Sequence, residues 1–151
     1  MESVIIEIVN ETKEIMALMI FSAISFIKIV LKIPEDVKDN KIIGCGYNQK
    51  DKTKNPLKHA ELIAIEDACK YIGDWRLNDC TLYTTFEPCM MCMGAIIESR
   101  ISKVVYGAKK EEQMYYDLKD INIVGGVLEE ECLHLLQKFF KNKRNNTKNM
   151  I

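Results

Sequence analysis

Three side chains that have to meet at one point limit most strongly how this chain can fold. His59 and Glu61 stand two residues apart, and further on the chain reads Glu87-Pro88-Cys89-Met90-Met91-Cys92. The Cys-x-x-Cys spacing lets both sulfurs reach one ion, and an upstream imidazole completes three zinc ligands, His59, Cys89 and Cys92. A structural zinc closes its fourth position with another protein ligand, whereas a catalytic zinc leaves it to water. Each motif also sits where a strand or loop turns into a helix. Two such helices side by side on one sheet face bring their N-termini together, and the positive ends of their dipoles favour thiolate over thiol.

The rest of the chain has to supply that sheet. Its 151 residues fit one domain with a real core. A net charge of −1 argues against a uniformly basic nucleic-acid binder but leaves room for a local basic patch. The uncharged run Ile15 to Ile27 is too short to span a bilayer, which takes roughly 18 to 20 residues. Glu2, Glu7, Glu11 and Glu14 precede it where a secretory leader would be positive, so it reads as buried core. Thiols that must stay reduced to hold zinc favour the cytoplasm. The other cysteines, Cys45, Cys69, Cys80 and Cys132, read as small core residues.

From Val4 to Ile20 the apolar residues follow an i, i+3, i+4 pattern that predicts a helix. Ile24 to Ile33 reads as a strand, and Lys41 to Asn48 as a second strand pairing back on it as a hairpin. Gln49 to Asn55 and Pro56 form a connection. A helix follows from His59 to about Tyr71, with Leu62, Ile63, Ile65, Ala68 and Cys69 inward and Gly73 as its stop. Cys80 to Phe86 alternates as a strand, Cys89 to Glu98 is a helix and Lys103 to Tyr106 a strand. An exposed helix over Lys109 to Lys119, a strand over Ile121 to Val124 and an amphipathic helix over Val127 to Phe140 complete the order. Helices alternating with strands predict an α/β/α sandwich, three layers around a mixed sheet of about five strands. The expected organisation is a single domain over residues 1–144, with a basic, frayed tail over 145–151.

Zinc brings the pKa of a bound water to about 7, and a carboxylate beside it can carry the proton. Glu61 emerges beside the metal and suits that shuttle, so the pattern points to hydrolysis at an electrophilic carbon with an amine leaving. Neither motif decides this alone, because a His-x-Glu is commonplace and a Cys-x-x-Cys divides among zinc, redox chemistry and coincidence. Their conjunction, with Pro88 directly before Cys89, matches the signature of zinc-dependent deaminases.

The stretches Lys58-His59-Ala60-Glu61, Trp75-Arg76-Leu77, Cys80-Thr81-Leu82-Tyr83, Glu87 to Ile96, Val104 to Ala108 and Gly125 to Cys132 resemble the bacterial tRNA-specific adenosine deaminases, within the cytidine deaminase-like superfamily. The similarity runs from about Lys41 to Arg144. It implies a homodimer with one zinc per subunit that converts the wobble adenosine of a tRNA anticodon stem-loop to inosine. It makes His59, Cys89 and Cys92 the metal ligands and Glu61 the catalytic proton shuttle, with hydroxide on zinc attacking C6 of a flipped-out adenine. It also assigns Asn48, Ala60, Glu87 and Pro88 to substrate binding, Asn48 being otherwise a turn residue. Lys58, Lys110, Phe140, Lys141, Lys143 and Arg144 are also expected as RNA contacts, the C-terminal cations either binding phosphates in a salt-dependent way or forming a solvated tail.

The chain departs from the family pattern in three places. It reads Ile29 to Asp36 where members carry a Pro-Val-Gly-Ala strand. Lys109-Lys110-Glu111-Glu112 replaces an acidic residue and a Gly-Ser-Leu loop, and Lys58 stands where many members have Ala. Two other functions fit the motifs: a free nucleobase or nucleoside deaminase acting on guanine, cytosine or adenosine, and a non-catalytic zinc-bearing subunit that positions RNA. Glu61 speaks against the last, since a purely structural metal has no use for a shuttle.

Overall fold

A computed structural model describes residues 13, 28–32, 41–111 and 120–148. The helix expected over Val4 to Ile20 lies outside them except for residue 13, which is helical. Most of the helix expected over Lys109 to Lys119 also lies outside, and Lys109 to Glu111, which are described, are not helical.

The hairpin forms as its sequence predicts. Strand β1, Lys28–Lys32, pairs antiparallel with β2, Lys41–Gly46, and on its other edge with β3, Cys80–Phe86. The segment that departs from the family's small-residue strand is therefore a member of the sheet as far as Lys32. Parallel pairing adds β4, Lys103–Ala108, and β5, Asn122–Val124, giving the order β2-β1-β3-β4-β5. A register shift between Val30 and Leu31 leaves Ile43 as the extra residue on β2, since Val30 faces Gly44 and Leu31 faces Ile42. Ile43 enters the core at 5% exposure while Ile42 stays 55% exposed.

Four helices complete the described fold: α1, Lys50–Thr53; α2, Ala60–Ile72; α3, Met90–Glu98; and α4, Glu129–Lys148. Short α1 lies in what the sequence read as a plain connection. Helix α2 ends at Gly73, whose φ of 76° closes the last turn through an N–H donated to Cys69 O at 2.8 Å. Its buried residues are Ala60, Glu61, Ala64, Ile65 and Ala68. The expected inward residues Leu62, Ile63 and Cys69 are only half-buried. The reason lies in β2. A Cβ on Gly44 would stand 2.7 Å from Ala68 N, and one on Gly46 would stand 2.8 Å from Ala64 N. Glycines facing alanines let helix and strand backbones touch, and this line of contact turns the larger side chains to its flanks. Cys45 lies between the two glycines and so points to the opposite face, exposed rather than in the core. Cys80 and Cys132 are fully buried as expected, and Cys69 is partly so.

Alternation along the central strands divides the core into two layers. Cys80, Leu82 and Val104 pack with Ala64, Ile65, Ala68, Met93 and Ile96 of α2 and α3. Tyr83 and Val105 pack on the other face with Cys132 and Leu136 of α4. The result is the expected three-layer sandwich. The sequence of β3 predicts an alternating strand, yet it is buried from Cys80 to Thr85 on both faces, because it lies between β1 and β4 and under helices on both sides. Gly107 brings α4 close to β4, since a Cβ there would stand 2.8 Å from Cys132 Cβ.

Helix α4 begins with Glu129, Glu130 and Glu131, acids that suit the positive helix end. It continues to Lys148, past Phe140 and through most of the segment expected to fray. Half of residues 141–148 are lysine or arginine, good helix formers that offset the poorer Asn142, Asn145, Asn146 and Thr147 after the apolar face has ended.

Candidate metal centre and nucleotide cleft

The sheet places the N-termini of α2 and α3 beside one another. His59 is the N-cap of α2 with φ −73° and ψ 150°, and its carbonyl accepts Ile63 N at 3.2 Å. Cys89 is the N-cap of α3 with φ −76° and ψ 171°, and its carbonyl accepts Met93 N at 2.8 Å. Neither side chain caps its own helix, so imidazole and thiol are both available to an ion. Cys92 lies within the first turn of α3, fully buried. Loop bonds fix the approach to His59: Gln49 N donates to Lys58 O at 2.9 Å, and Lys58 N to Asn55 O at 3.2 Å.

The separations test the metal directly. His59 Nδ1 lies 3.6 Å from Cys89 Sγ and 3.6 Å from Cys92 Sγ. A tetrahedral zinc, with nitrogen at about 2.0–2.1 Å and sulfur at about 2.3 Å, spaces those donors by about 3.6 Å. One imidazole and two thiols therefore already stand where zinc needs them. All three donor atoms lie within 4.8 Å of one another, and three protein ligands leave the fourth position open. Glu61 is not among the grouped ligands; it is 3% exposed, in the first turn of α2, and lines the cleft that also reaches His59 and Cys89.

That cleft has a volume of about 1550 Å³. Its inner end includes Asn48, His59, Ala60, Glu61, Phe86, Glu87 and Cys89. One wall is α1, through Lys50, Asp51 and Lys52, and the other is α4, through Leu133, Leu136, Phe139, Phe140, Lys141, Arg144 and Asn145. Phe139 and Phe140 meet edge to face at 5.5 Å, and Phe140 is 52% exposed. Along α4 the lining is thus aromatic at Phe139 and Phe140 and cationic at Lys141 and Arg144.

The other residues singled out in the sequence fall in different places. The Asn48 side-chain carbonyl accepts Lys50 N at 3.0 Å, so Asn48 is a turn residue that also lines the cleft. Glu87 N donates to Ala108 O at 2.9 Å, and its carboxylate accepts Lys110 N at 2.9 Å. Pro88 is buried, and its carbonyl accepts the Lys110 ammonium at 3.3 Å. Phe140, Lys141, Arg144 and Lys110 line the cleft; the side chain of Lys143 is outside the described structure. Lys58 is absent from the lining, and its ammonium lies 3.6 Å from the Glu66 carboxylate. Lys70 holds the same carboxylate at 2.9 Å, and together the two lysines depress its pKa, Lys70 most.

Lys50, Lys52, Phe86 and Phe139 are cleft residues that sequence reasoning missed. The available signal was the Lys50-Asp51-Lys52 run between Asn48 and His59, which brings two cations close along the chain to a ligand. Behind α4, burial pushes the Cys132 thiol up to about 11, with the Glu131 charge adding to it. That thiol is fully buried and packs against Gly107.

The family model described as MafB19-like deaminase matches residues 32–144. A tRNA-specific adenosine deaminase of Buchnera aphidicola subsp. Baizongia pistaciae (strain Bp) is 43% identical, over 72% of this chain and 74% of that protein. One from Streptococcus pyogenes serotype M18 (strain MGAS8232) is 39% identical, over 75% and 78%. A solved structure from a study of A-to-I editing by tRNA:A34 deaminases at the wobble position of transfer RNA superposes with a TM-score of 0.62. It is 26% identical and covers 73% of this chain and 83% of its own.

Proposed function

We propose that this chain, which belongs to the tRNA-specific adenosine deaminases of the MafB19-like deaminase family, hydrolyses the wobble adenosine of a tRNA anticodon to inosine with one zinc per subunit. One observation carries the reading: a three-donor centre with zinc-like spacing and a buried carboxylate opens into a cleft of about 1550 Å³. Pockets for small ligands run to about 300–1,000 Å³. A cleft of this size, with aromatic and cationic walls, suits a nucleotide still attached to its strand.

Zinc at His59, Cys89 and Cys92 would supply the Lewis acid that brings a water to a pKa of about 7. The protein groups do the rest. Adenosine and water give inosine and ammonia, so two water protons must move. Glu61 takes the first from the attacking water and delivers it to N1 of the base, then carries the second to the C6 amine, which leaves as ammonia. Asn48 has its carbonyl engaged by Lys50 N, which leaves its NH2 end to donate to the base. Ala60, buried at the first turn of α2, and Glu87 form part of the wall around the base, and Pro88, buried and outside the lining, sets the turn behind them. Phe140 offers a stacking surface, and Lys141 and Arg144 on one wall, with Lys50 and Lys52 on the other, face the phosphates.

The homodimer reading is supported by α3. Met90 is 65% exposed and Ile97 is 44% exposed, with Gly94 open between them, positions that share one helix face. A second copy would cover that face. Among the described residues no helix is long and apolar enough to cross a membrane. A cytoplasmic setting follows from the thiols, which hold zinc only when reduced. The test is inosine mapping on an anticodon stem-loop incubated with the zinc-loaded protein, beside adenosine, cytosine and guanine. Inosine in the stem-loop is expected, and turnover confined to the small molecules would reject the tRNA reading.

A further inference from the structure

We propose that Lys110 is a positioning residue for the metal centre: it braces the Glu87-Pro88 turn that delivers Cys89. The proposal rests on the zinc reading of His59, Cys89 and Cys92. Lys110 stands in the stretch where the chain departs from its family, and it engages that turn twice. Its backbone N–H donates to Glu87 Oε2 at 2.9 Å, and its ammonium donates to Pro88 O at 3.3 Å. Glu87 N in turn donates to Ala108 O at 2.9 Å.

Among the described residues, the Pro88 carbonyl takes its hydrogen bond from Lys110. Pro88 carries no N–H, and the first carbonyl taken up by α3 is that of Cys89, which accepts Met93 N. The Pro88 oxygen therefore precedes the helix ladder and takes its donor from Lys110. Since Cys89 is an N-cap in extended conformation, the placement of its sulfur depends on the residue before it. The segment that carries Lys110 is itself held from the opposite side. Lys109 N donates to Glu129 Oε1 at 3.3 Å, Gly126 N to Gly107 O at 3.1 Å and Val127 N to Tyr106 O at 3.2 Å. Residues 106–110 thus form a bracket between the start of α4 and the metal-binding turn, and Lys110 is its last link. An ammonium held by Pro88 O fixes a ligand loop; a purely RNA-binding lysine would present that charge to phosphate.

The test uses the zinc-loaded full chain and compares wild type, Lys110→Met and Lys110→Arg. Zinc release to a chromophoric chelator is expected to be about tenfold faster in Lys110→Met, the lower end of the effect of removing outer-shell support. Lys110→Arg, which restores a cationic donor, is expected to return release to within about twofold of wild type. On a stem-loop substrate, Lys110→Met lowers kcat more than it raises KM. The proposal is overturned if zinc release is unchanged and only RNA affinity and its salt dependence fall. It is also overturned if the zinc-free variant loses thermal stability while the zinc-loaded form releases metal at the wild-type rate. Should Lys110→Met fail to fold, Lys110→Leu gives the same comparison, since it too removes the donor to Pro88 O. A wild-type protein that holds zinc but makes no inosine removes the functional reading, while the release rates still decide the role of Lys110.

Discussion

The metal end of the cleft and its outer walls are built on opposite principles. His59, Glu61, Cys89 and Cys92 sit at the first turns of two helices whose inner faces are packed on the central strands, with Glu61 and Cys92 buried. The walls are mostly exposed side chains on one short helix and on α4, where Leu136 is the buried exception. The metal-binding donors are thus held by the core, while the wall residues take their positions from how α1 and α4 are mounted. Changes at the metal end should act on metal and turnover, and changes at the walls on RNA affinity.

The largest effect should come from Cys92→Ser. It removes a buried donor, and we expect loss of bound zinc and of all deamination, read by metal content and inosine formation. Retained zinc in that variant would break the contrast at its base. Glu61→Ala should keep one zinc per chain and lower turnover by about 10²- to 10⁴-fold, the range of a general acid–base group. Zinc lost along with turnover would make Glu61 a ligand instead of a shuttle.

Gly107→Ala probes the connection between the two regions. A methyl group at this position has no room against Cys132, so α4 must move, at a stability cost of about 1–3 kcal/mol. The expected outcome is weakened stem-loop binding with zinc still bound. Arg144→Gln should give the smallest change, lowering the dependence of log affinity on log salt by about 0.7 for one lost phosphate contact. An unchanged salt slope would remove Arg144 from the RNA path.

The metal site was legible because its information is local. Cys89 and Cys92 are three residues apart in the sequence and one helical turn apart in space, and His59 and Cys89 each mark a helix start. The strands and the two motif helices were equally readable from periodicity and from stop signals such as Gly73. Other features depend on partners distant in the sequence. Burial of β3 on both faces follows from its central place in the sheet, which Cys80 to Phe86 does not state. Lys58 and Lys110 look alike as cations beside a motif, yet one pairs with Glu66 on α2 and the other reaches the Pro88 carbonyl.

By itself, then, the sequence determined the donor set, the carboxylate two residues from the imidazole and the helix starts that carry them. These depend on spacings of two to four residues, which backbone geometry converts directly into position. Tertiary structure alone decided the shape of the substrate's path. Lys50 and Arg144 become opposite walls of one cleft only because β2 delivers α1 to one side and Gly107 lets α4 settle on the other. No local rule connects residues so far apart in sequence, and the packing of helices on a shared sheet is what brings them together.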